Sequence, residues 1–523
     1  MNIKKPLYGE WEAEGSSVPA TIGSHIFVFG DIKLFNINDL RLFLQCSSKK
    51  VEEIIVKGFK RLGTNFFIKL KGIYSFAIID KKNTQVILCR DKVGTIPLYF
   101  TLVNNKLYWS STIESILKSR HANRVNINFL IDYVSGVPES PYETPFEDIF
   151  QLPPGSYLRA CKSGVEVCRY WIFEDSLNVN NDECLQLFEL EFQQCIKELL
   201  FDVELDSIAV RLSGGYDSSS VLVCLKEIGI PLRAVSITFP GKQSNESLYV
   251  QYLSKKLNVE VLETKANDEL RKRTKTEPEH LITPFFDPYE REMGEMYKSA
   301  LAKGWNSLLT GTYGDEFCYS FTPMNDIEAC LGGFFLRRKL GYDKPAPFLT
   351  KLAKKQFVES FLRHWELPVG IKMECLSAFL GWGSLTQIES LYDASVNHRI
   401  NMLNPFLSDR LVELSAILPN AYKTKPHSFK PILTWYLKKH KIDFIANRGE
   451  KASLQPYFQR YYLESAKKAL HSTSIVKALE NTYIFDMLKV YEYLDITDNS
   501  SETQHVDYIL RLWQVGQFLL KFG

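Results

Sequence analysis

One hexapeptide, Ser213-Gly214-Gly215-Tyr216-Asp217-Ser218, constrains this chain more than any other feature, because it stands where a strand-like run gives way to a helix-like one. Ile208-Ala209-Val210-Arg211-Leu212 precedes it, and Val221, Leu222, Leu225 and Ile228 follow on one helical face. Ser218, Ser219 and Ser220 carry cap-type side chains, which predicts that the helix opens there. In an open parallel sheet, ligands bind beyond the carboxyl ends of the strands, where helix N-termini offer unpaired N–H groups to anions. Gly214 and Gly215 let the backbone close on a phosphate, and the hydroxyls of Ser213 and Ser218 can donate to it. Asp217 meets a phosphate only through a bridging cation, so the loop implies Mg2+. The bland alternative is a tight Gly-Gly turn with a capping serine, and the full hexapeptide at a strand-to-helix junction weighs against it.

The flanking pattern sets the fold class. A helix near 182–200 precedes the loop; a strand near 232–239, a helix near 246–257, a strand near 259–263, a helix near 290–303 and a strand at Leu308-Leu309-Thr310 follow it. Such alternation predicts an α/β unit with a doubly wound parallel sheet. Beyond about 320 the chain reads as almost wholly helical and rich in Leu, Phe and Tyr. From about 25 to 110 the pattern differs: short apolar runs such as Phe76-Ala77-Ile78-Ile79 are separated by turn chemistry such as Asp80-Lys81-Lys82-Asn83. With helical segments at roughly 37–60 and 112–135, this is a strand-rich α+β unit. A stretch with five prolines, Val137 to Pro154, closes it. The expected domains are therefore 1–172 and 173–523, the latter with a core at about 205–320 and a helical part at about 321–523.

Lys plus Arg total 63 against 61 for Asp plus Glu, a formal +2, so no bulk field draws the chain to nucleic acid or an anionic membrane. The ten cysteines are scattered without a CxxC pair, which predicts reduced, mostly buried thiols. No apolar secretory stretch follows Met1, and no run of about 18 apolar residues occurs. A soluble, cytoplasmic protein is expected.

A second acidic loop, Gly311-Thr312-Tyr313-Gly314-Asp315-Glu316, follows the predicted strand at 308–310. The hexapeptide is the signature of the PP-loop ATP pyrophosphatases, and the two loops together resemble their asparagine synthetase branch. That resemblance implies ATP bound by Leu212, Ser213, Gly214, Gly215, Asp217, Ser218, Gly311 and Gly314, with Ser236 to Phe239 on the adenine side and Mg2+ shared by Asp217 and Asp315. It continues in order through Ser244-Asn245-Glu246, Asn404-Pro405-Phe406-Leu407-Ser408-Asp409, Leu418-Pro419, Lys430-Pro431-Ile432-Leu433 and Arg448-Gly449-Glu450-Lys451. The Asn404 segment departs from the family by placing Ser408 before Asp409. Lys451 is implied as the catalytic ammonium that stabilises transition-state charge, with Arg448 beside it.

Residues 70–77, 90–99, 109–111 and 152–155 resemble the family's glutamine-hydrolysing domain, which implies an Ntn-type αββα sandwich. In that domain the residue after Met1 is a nucleophilic cysteine; here it is Asn2, and the first cysteine is Cys46. A glutaminase-like domain that no longer makes ammonia is expected, so the attacking amine must come from elsewhere. Relatives without the cysteine include the β-lactam and carbapenam synthetases and the lasso-peptide cyclases. Three residues before the metal Asp, where asparagine synthetase has Glu and β-lactam synthetase a Tyr base, stands Thr312, too weakly acidic to serve unaided. Tyr313 is expected to point elsewhere. The best match is the lasso cyclases, which join a peptide's N-terminal amine to an Asp or Glu side chain, releasing AMP and pyrophosphate. The implied partners are a precursor peptide, a leader-peptide protease and a leader-recognition protein. Divergent ligases acting on small amino acids, and a catalytically silent scaffold, are the alternatives. Tyr457, Phe458, Tyr461 and Tyr462 are candidates either to line a peptide cavity or to fill plain core.

Overall fold

The computed structural model describes residues 8–12, 25–120, 124–136, 142–171, 183–241, 246–267, 282–285, 290–318, 344–363, 382–425, 428–448, 457, 459–495 and 503–523. The first part holds two antiparallel sheets. One is β2 (Ile26–Leu34), β3 (Gly72–Asp80), β4 (Gln85–Arg90), β8 (Ser156–Cys161) and β9 (Gly164–Arg169); the other runs β1 (Tyr8–Glu12), β6 (Lys106–Ser110), β5 (Tyr99–Val103), β7 (Phe150–Gln151). Strand alternation explains the continuous apolar run in β3. Ala77 and Ile79 face Leu98, Leu107 and Trp109 between the sheets, whereas Phe76 and Ile78 pack outward on Ile54, Ile55 and Phe59. Helices α1 (Ile37–Leu44) and α2 (Val51–Leu62) cover that outer face, and α3 (Ile113–Arg120) and α4 (Ile127–Val134) pack in a cluster with Tyr99. The order helix, sheet, sheet, helix is the αββα sandwich. Each expected helical segment is thus a pair, broken by a left-handed Gln45 after α1 and by Asn126, whose side chain accepts from the Phe129 N–H and caps α4.

The second part begins with α5 (Cys184–Leu200) and continues through β10 (Ile208–Arg211), α6 (Tyr216–Glu227), β11 (Arg233–Thr238), α7 (Ser247–Leu257), β12 (Glu260–Lys265), a helix at Glu290–Ala302 and β13 (Ser307–Leu309). The five strands of its main sheet pair in parallel, in the order β12-β11-β10-β13-β14, and a separate two-stranded antiparallel pair joins Thr424–Lys425 to Ser428–Phe429. Beyond 320 the described residues are largely helical as expected; the exceptions are that short pair and β14 (Asn401–Leu403), the sheet's last strand. Three residues are too short to display alternation, and their partner lies far back in sequence. Elsewhere in that region helices dominate, at Lys351–Arg363, Trp382–His398, Asp409–Ile417, Pro431–Lys439 and Thr503–Phe522.

The two parts are packed together. Helix α4 shares an apolar cluster with Thr503–Phe522, where Tyr133 Oη donates to Gln514 at 2.6 Å. Lys92 pairs with Glu413 at 2.9 Å, and Tyr392 Oη donates to Ser111 Oγ at 2.8 Å. No disulfide joins the described cysteines, most of which are buried as expected. Among the described residues no helix is long and apolar enough to cross a membrane.

Candidate active site

Strand order decides where the two acidic loops meet. From β10 the chain winds through β11 and β12 to one edge, whereas β13, next to β10 on its other side, begins the opposite half. The crevice at such a reversal is where open α/β sheets bind ligands. The loop after β10 is Ser213–Ser218 and the loop after β13 is Gly311–Glu316, so both open into that crevice.

The first loop is closed from within. Leu212 extends the sheet through its N–H to Val235 O at 2.8 Å, and the Ser213 N–H donates to Ser218 Oγ at 3.2 Å. Helix α6 therefore starts at Tyr216, with Gly215 as N-cap and no side-chain cap. The expected serine cap is not formed, because Ser218 faces back to Ser213 and Ser220 Oγ donates to Tyr216 O instead. The Gly215 N–H donates to Ser213 Oγ at 3.3 Å, and the N–H groups of the first turn of α6, which have no carbonyl of their own helix to meet, lie at the head of the helix beside the crevice. Gly214 has φ +78°, and a side chain there would come within 2.6 Å of Tyr249 Cβ.

The second loop presses against the first. A Cβ on Gly311 would lie 2.4 Å from the Ser218 nitrogen, and one on Gly314 would lie 2.2 Å from Asp217 Oδ1. These glycines thus permit the approach of the two acidic loops, a reason beyond contact with nucleotide. Thr310 holds the base of the loop: its hydroxyl donates to Asn404 Oδ1 at 2.6 Å and accepts from the Thr312 N–H at 3.2 Å. Asn404 follows β14, so the overlooked strand positions the loop. Ser408 caps the helix Asp409–Ile417, accepting from the Leu411 N–H, which accounts for the serine before Asp409.

Asp217 and Asp315 converge on one atom. Lys430 Nζ lies 2.5 Å from Asp217 Oδ1 and 2.8 Å from Asp315 Oδ1, and its side chain is only 7% exposed. Burial by itself pulls the Lys430 pKa down, but Asp217 and then Asp315 outweigh it and keep the ammonium charged. Sequence reading placed Lys430 only at the start of a helix; it stands there as the left-handed residue before Pro431, φ 47°. The Lys-Pro pair gave no signal of this, since a residue before proline is expected to be extended and the left-handed placement shows only in the structure. Burial, reinforced by Asp315, also pushes the neighbouring Glu316 carboxyl up.

The remaining candidates divide. Thr312 Oγ1 accepts from Arg211 Nη2 at 2.8 Å, and Tyr313 turns away into the core, 2% exposed. Arg448 is not placed as a catalytic cation: Nη1 donates to Gly214 O and Nη2 to Glu246 Oε1, both at 2.8 Å, and its guanidinium lies over the Tyr249 ring. All three contacts brace the first loop. Ser236 is buried within β11, and the Phe239 ring packs edge-on against Tyr457. Tyr457 and Tyr462 are core rather than cavity lining, with Tyr457 Oη donating to Glu292. Lys451, Phe458, Ser244 and Asn245 lie outside the described residues.

Comparison with known proteins assigns the chain. The asparagine synthase family model matches residues 190–520, and a glutamine amidotransferase domain model matches 20–171. The chain belongs to the asparagine synthase family. It is 29% identical to asparagine synthetase [glutamine-hydrolyzing] 2 of Bacillus subtilis over 99% of this chain and 73% of that one. It is 26% identical to a putative asparagine synthetase [glutamine-hydrolyzing] 2 of Methanocaldococcus jannaschii over 85% and 78%. A solved glutamine phosphoribosylpyrophosphate amidotransferase from B. subtilis aligns at 12% identity over 59% of this chain and 64% of that one, with a TM-score of 0.22, and carries no argument.

For an asparagine synthase-family, ATP-dependent ligase, Mg2+ has to fit the crevice. Among the described residues no group of three or more His, Cys, Asp or Glu could hold a metal alone. Two carboxylates suffice when the ion arrives with phosphates, because Mg2+ keeps phosphate and water oxygens among its ligands. Asp217 and Asp315, already focused on one cationic point, fit that role. The family's amidotransferase-like part offers a different picture. Asp91, after β4, accepts from the N–H groups of Val93, Gly94 and Thr95 at 2.7–3.1 Å, and more distantly from Tyr74. The Cys89 thiol is fully buried, and burial followed by Asp91 pushes its pKa far up, which leaves it no thiolate character.

Between the two parts lies a cleft of about 240 Å³ lined by Glu114, Glu290, Glu389, Asp393 and Arg211. The Asp393 side chain is exposed to this cleft, with protein packed around it. That enclosure, then Glu389, Glu290 and Glu114, push its carboxyl up to about 8.

Proposed function

We propose that this protein is an AMP-forming carbon–nitrogen ligase that adenylates an Asp or Glu side chain of a precursor peptide. The peptide's own N-terminal amine then closes a macrolactam, as in lasso-peptide cyclases. The observation that carries the reading is Thr312: at the place where small-substrate relatives put a Glu or a Tyr base, a threonine hydroxyl accepts from Arg211. A ligase without a dedicated base there must gain its rate from holding amine and acyl carbon together, which is worth roughly 7–11 kcal/mol in well-oriented systems. A threaded peptide supplies that proximity; free ammonia does not. Asn2 in place of a cysteine, with Cys89 sealed in the core, supports an amine that is not drawn from glutamine. The carboxyl groups of the cleft offer hydrogen-bond acceptors to an amine, and Arg211 connects its wall to Thr312.

The chain's own residues have definite tasks in this reaction. Head-of-helix N–H groups after Gly214 and Gly215 receive phosphate oxygens, Arg448 keeps that loop closed, and Gly311 and Gly314 keep the second loop against it. Mg2+ held by Asp217 and Asp315 would neutralise charge on the β- and γ-phosphates. The peptide carboxylate attacks the α-phosphorus, the bond to the bridging oxygen breaks and pyrophosphate leaves; the amine then attacks the acyl carbon, AMP leaves, and the amine's proton passes to solvent. Lys451 stabilises the tetrahedral stage. A leader-peptide protease and a leader-recognition protein complete the assignment by freeing the N-terminus.

The test is incubation of the full chain with ATP, Mg2+ and a candidate precursor core peptide. Loss of one water from the peptide, stoichiometric AMP and pyrophosphate, and no glutamate from glutamine are expected. Amidation of free aspartate by ammonia, with no peptide needed, would return the protein to the small-substrate reading. ADP and phosphate as products would sink both.

A further inference from the structure

Lys430 holds a place in the site that the ligase reading does not explain. Its ammonium lies within hydrogen-bond distance of both acidic loops at once, 2.5 Å from Asp217 and 2.8 Å from Asp315. These are the two carboxylates that fit a divalent ion. A single-charged group and a metal cannot share that point, because both need the same Oδ1 atoms at close range and repel one another. The lysine backbone cannot retreat easily. Lys430 occupies the left-handed region at φ 47°, Pro431 fixes the next residue, and the helix Pro431–Lys439 packs through Ile432, Leu433 and Tyr436 in the core that also holds α6. Only the side chain can move.

We propose that Lys430 is a positioning residue that acts as a built-in counter-ion, holding Asp217 and Asp315 together before nucleotide binds and barring a divalent ion from entering alone. The proposal rests on the reading of Asp217 and Asp315 as a metal pair. Two carboxylates beside one ammonium leave an excess negative charge, so the loops stay aimed without collapsing into a neutral pair. A nucleotide–metal complex brings what a bare ion lacks: phosphate oxygens that can take the displaced ammonium, so that no buried charge is left without a partner. Metal entry is thereby tied to nucleotide entry.

Mn2+ binding to the full chain, read from the loss of free-ion EPR signal, tests this without turnover. Wild type without nucleotide should bind Mn2+ at the pair weakly, and Lys430→Gln should bind it at least about tenfold more tightly, since removing one member of a close charge pair changes affinity by that factor or more. Lys430→Arg, which keeps a cation, should stay near wild type, and Asp315→Asn should cancel the gain made by Lys430→Gln. Far-UV circular dichroism checks that each variant is folded. Stoichiometric, nucleotide-independent Mn2+ binding by wild type that Asp315→Asn abolishes would overturn the proposal whatever the variants do, as would unchanged affinity in a folded Lys430→Gln. If an ATP analogue fails to bring Mn2+ to either wild type or Lys430→Gln beyond what the analogue binds in solution, the metal pair itself is wrong, and this inference falls with it.

Discussion

Asp91 and Asp217 are the same residue type at the same kind of place, the first turn after a sheet strand, and they have opposite fates. Asp91 is fully buried and its carboxylate is used up by backbone donors from Val93, Gly94, Thr95 and Tyr74. Asp217 faces a crevice and meets a side-chain ammonium that Asp315 shares. Backbone N–H groups cannot leave, whereas a lysine side chain can. A carboxylate satisfied by the first kind of partner belongs to the fold, and one satisfied by the second is held ready for exchange. The contrast separates a carboxylate that holds a turn in the amidotransferase-like part from one that opens on the crevice of the synthase part.

The contrast breaks most sharply at Asp217. Asp217→Asn should lower ATP–pyrophosphate exchange by roughly 10²–10³-fold, the scale of losing one strong electrostatic group from an active site, with little change in melting temperature. A large loss of stability with activity retained would place Asp217 with Asp91 instead. Asp91→Ala should do the reverse: about 3 kcal/mol of stability lost, measured by urea unfolding, as buried N–H groups lose their acceptor, with exchange activity per folded molecule unchanged. The pH dependence sharpens the same point. Burial raises the Asp91 carboxyl from 3.8 to about 6, so the folded state binds the proton more tightly than the unfolded chain does. Stability contributed at this position therefore falls as pH rises through that window and is flat above it, and Asp91→Asn should remove the slope. Gly314→Ala drives a methyl group into Asp217 and should cost on the order of a hundredfold in exchange, since a misplacement of about 1 Å has that effect. The smallest effect belongs to Arg448→Lys, which loses the paired contacts to Gly214 and Glu246; about a tenfold rise in KM for ATP is expected with kcat nearly kept.

Much of this was legible in advance where periodicity ran long. The strands and helices from α5 to β13 follow the apolar pattern closely, and the hexapeptide lies at the sheet's carboxyl edge as its flanks required. β14 was not legible, because three residues carry no period and gain their meaning from pairing with β13. Arg448 was misjudged for a related reason: a cation near a phosphate loop reads the same whether it faces the phosphate or braces the loop from behind. Only its contacts with Gly214, Glu246 and Tyr249 distinguish the two.

The sequence by itself determined the kind of loop and the two acidic residues that follow strands, since each is a matter of residue type and local order. It could not determine that Gly311 and Gly314 exist to admit Asp217, or that Lys430 lies between the two carboxylates. Those facts depend on loops 94 residues or more apart being brought within hydrogen-bond reach, as the pairing of Thr310 with Asn404 does for the second loop. Local preference acts over a few residues, whereas the distance between two loops is fixed by strand order and by what packs behind each, and so by tertiary structure alone.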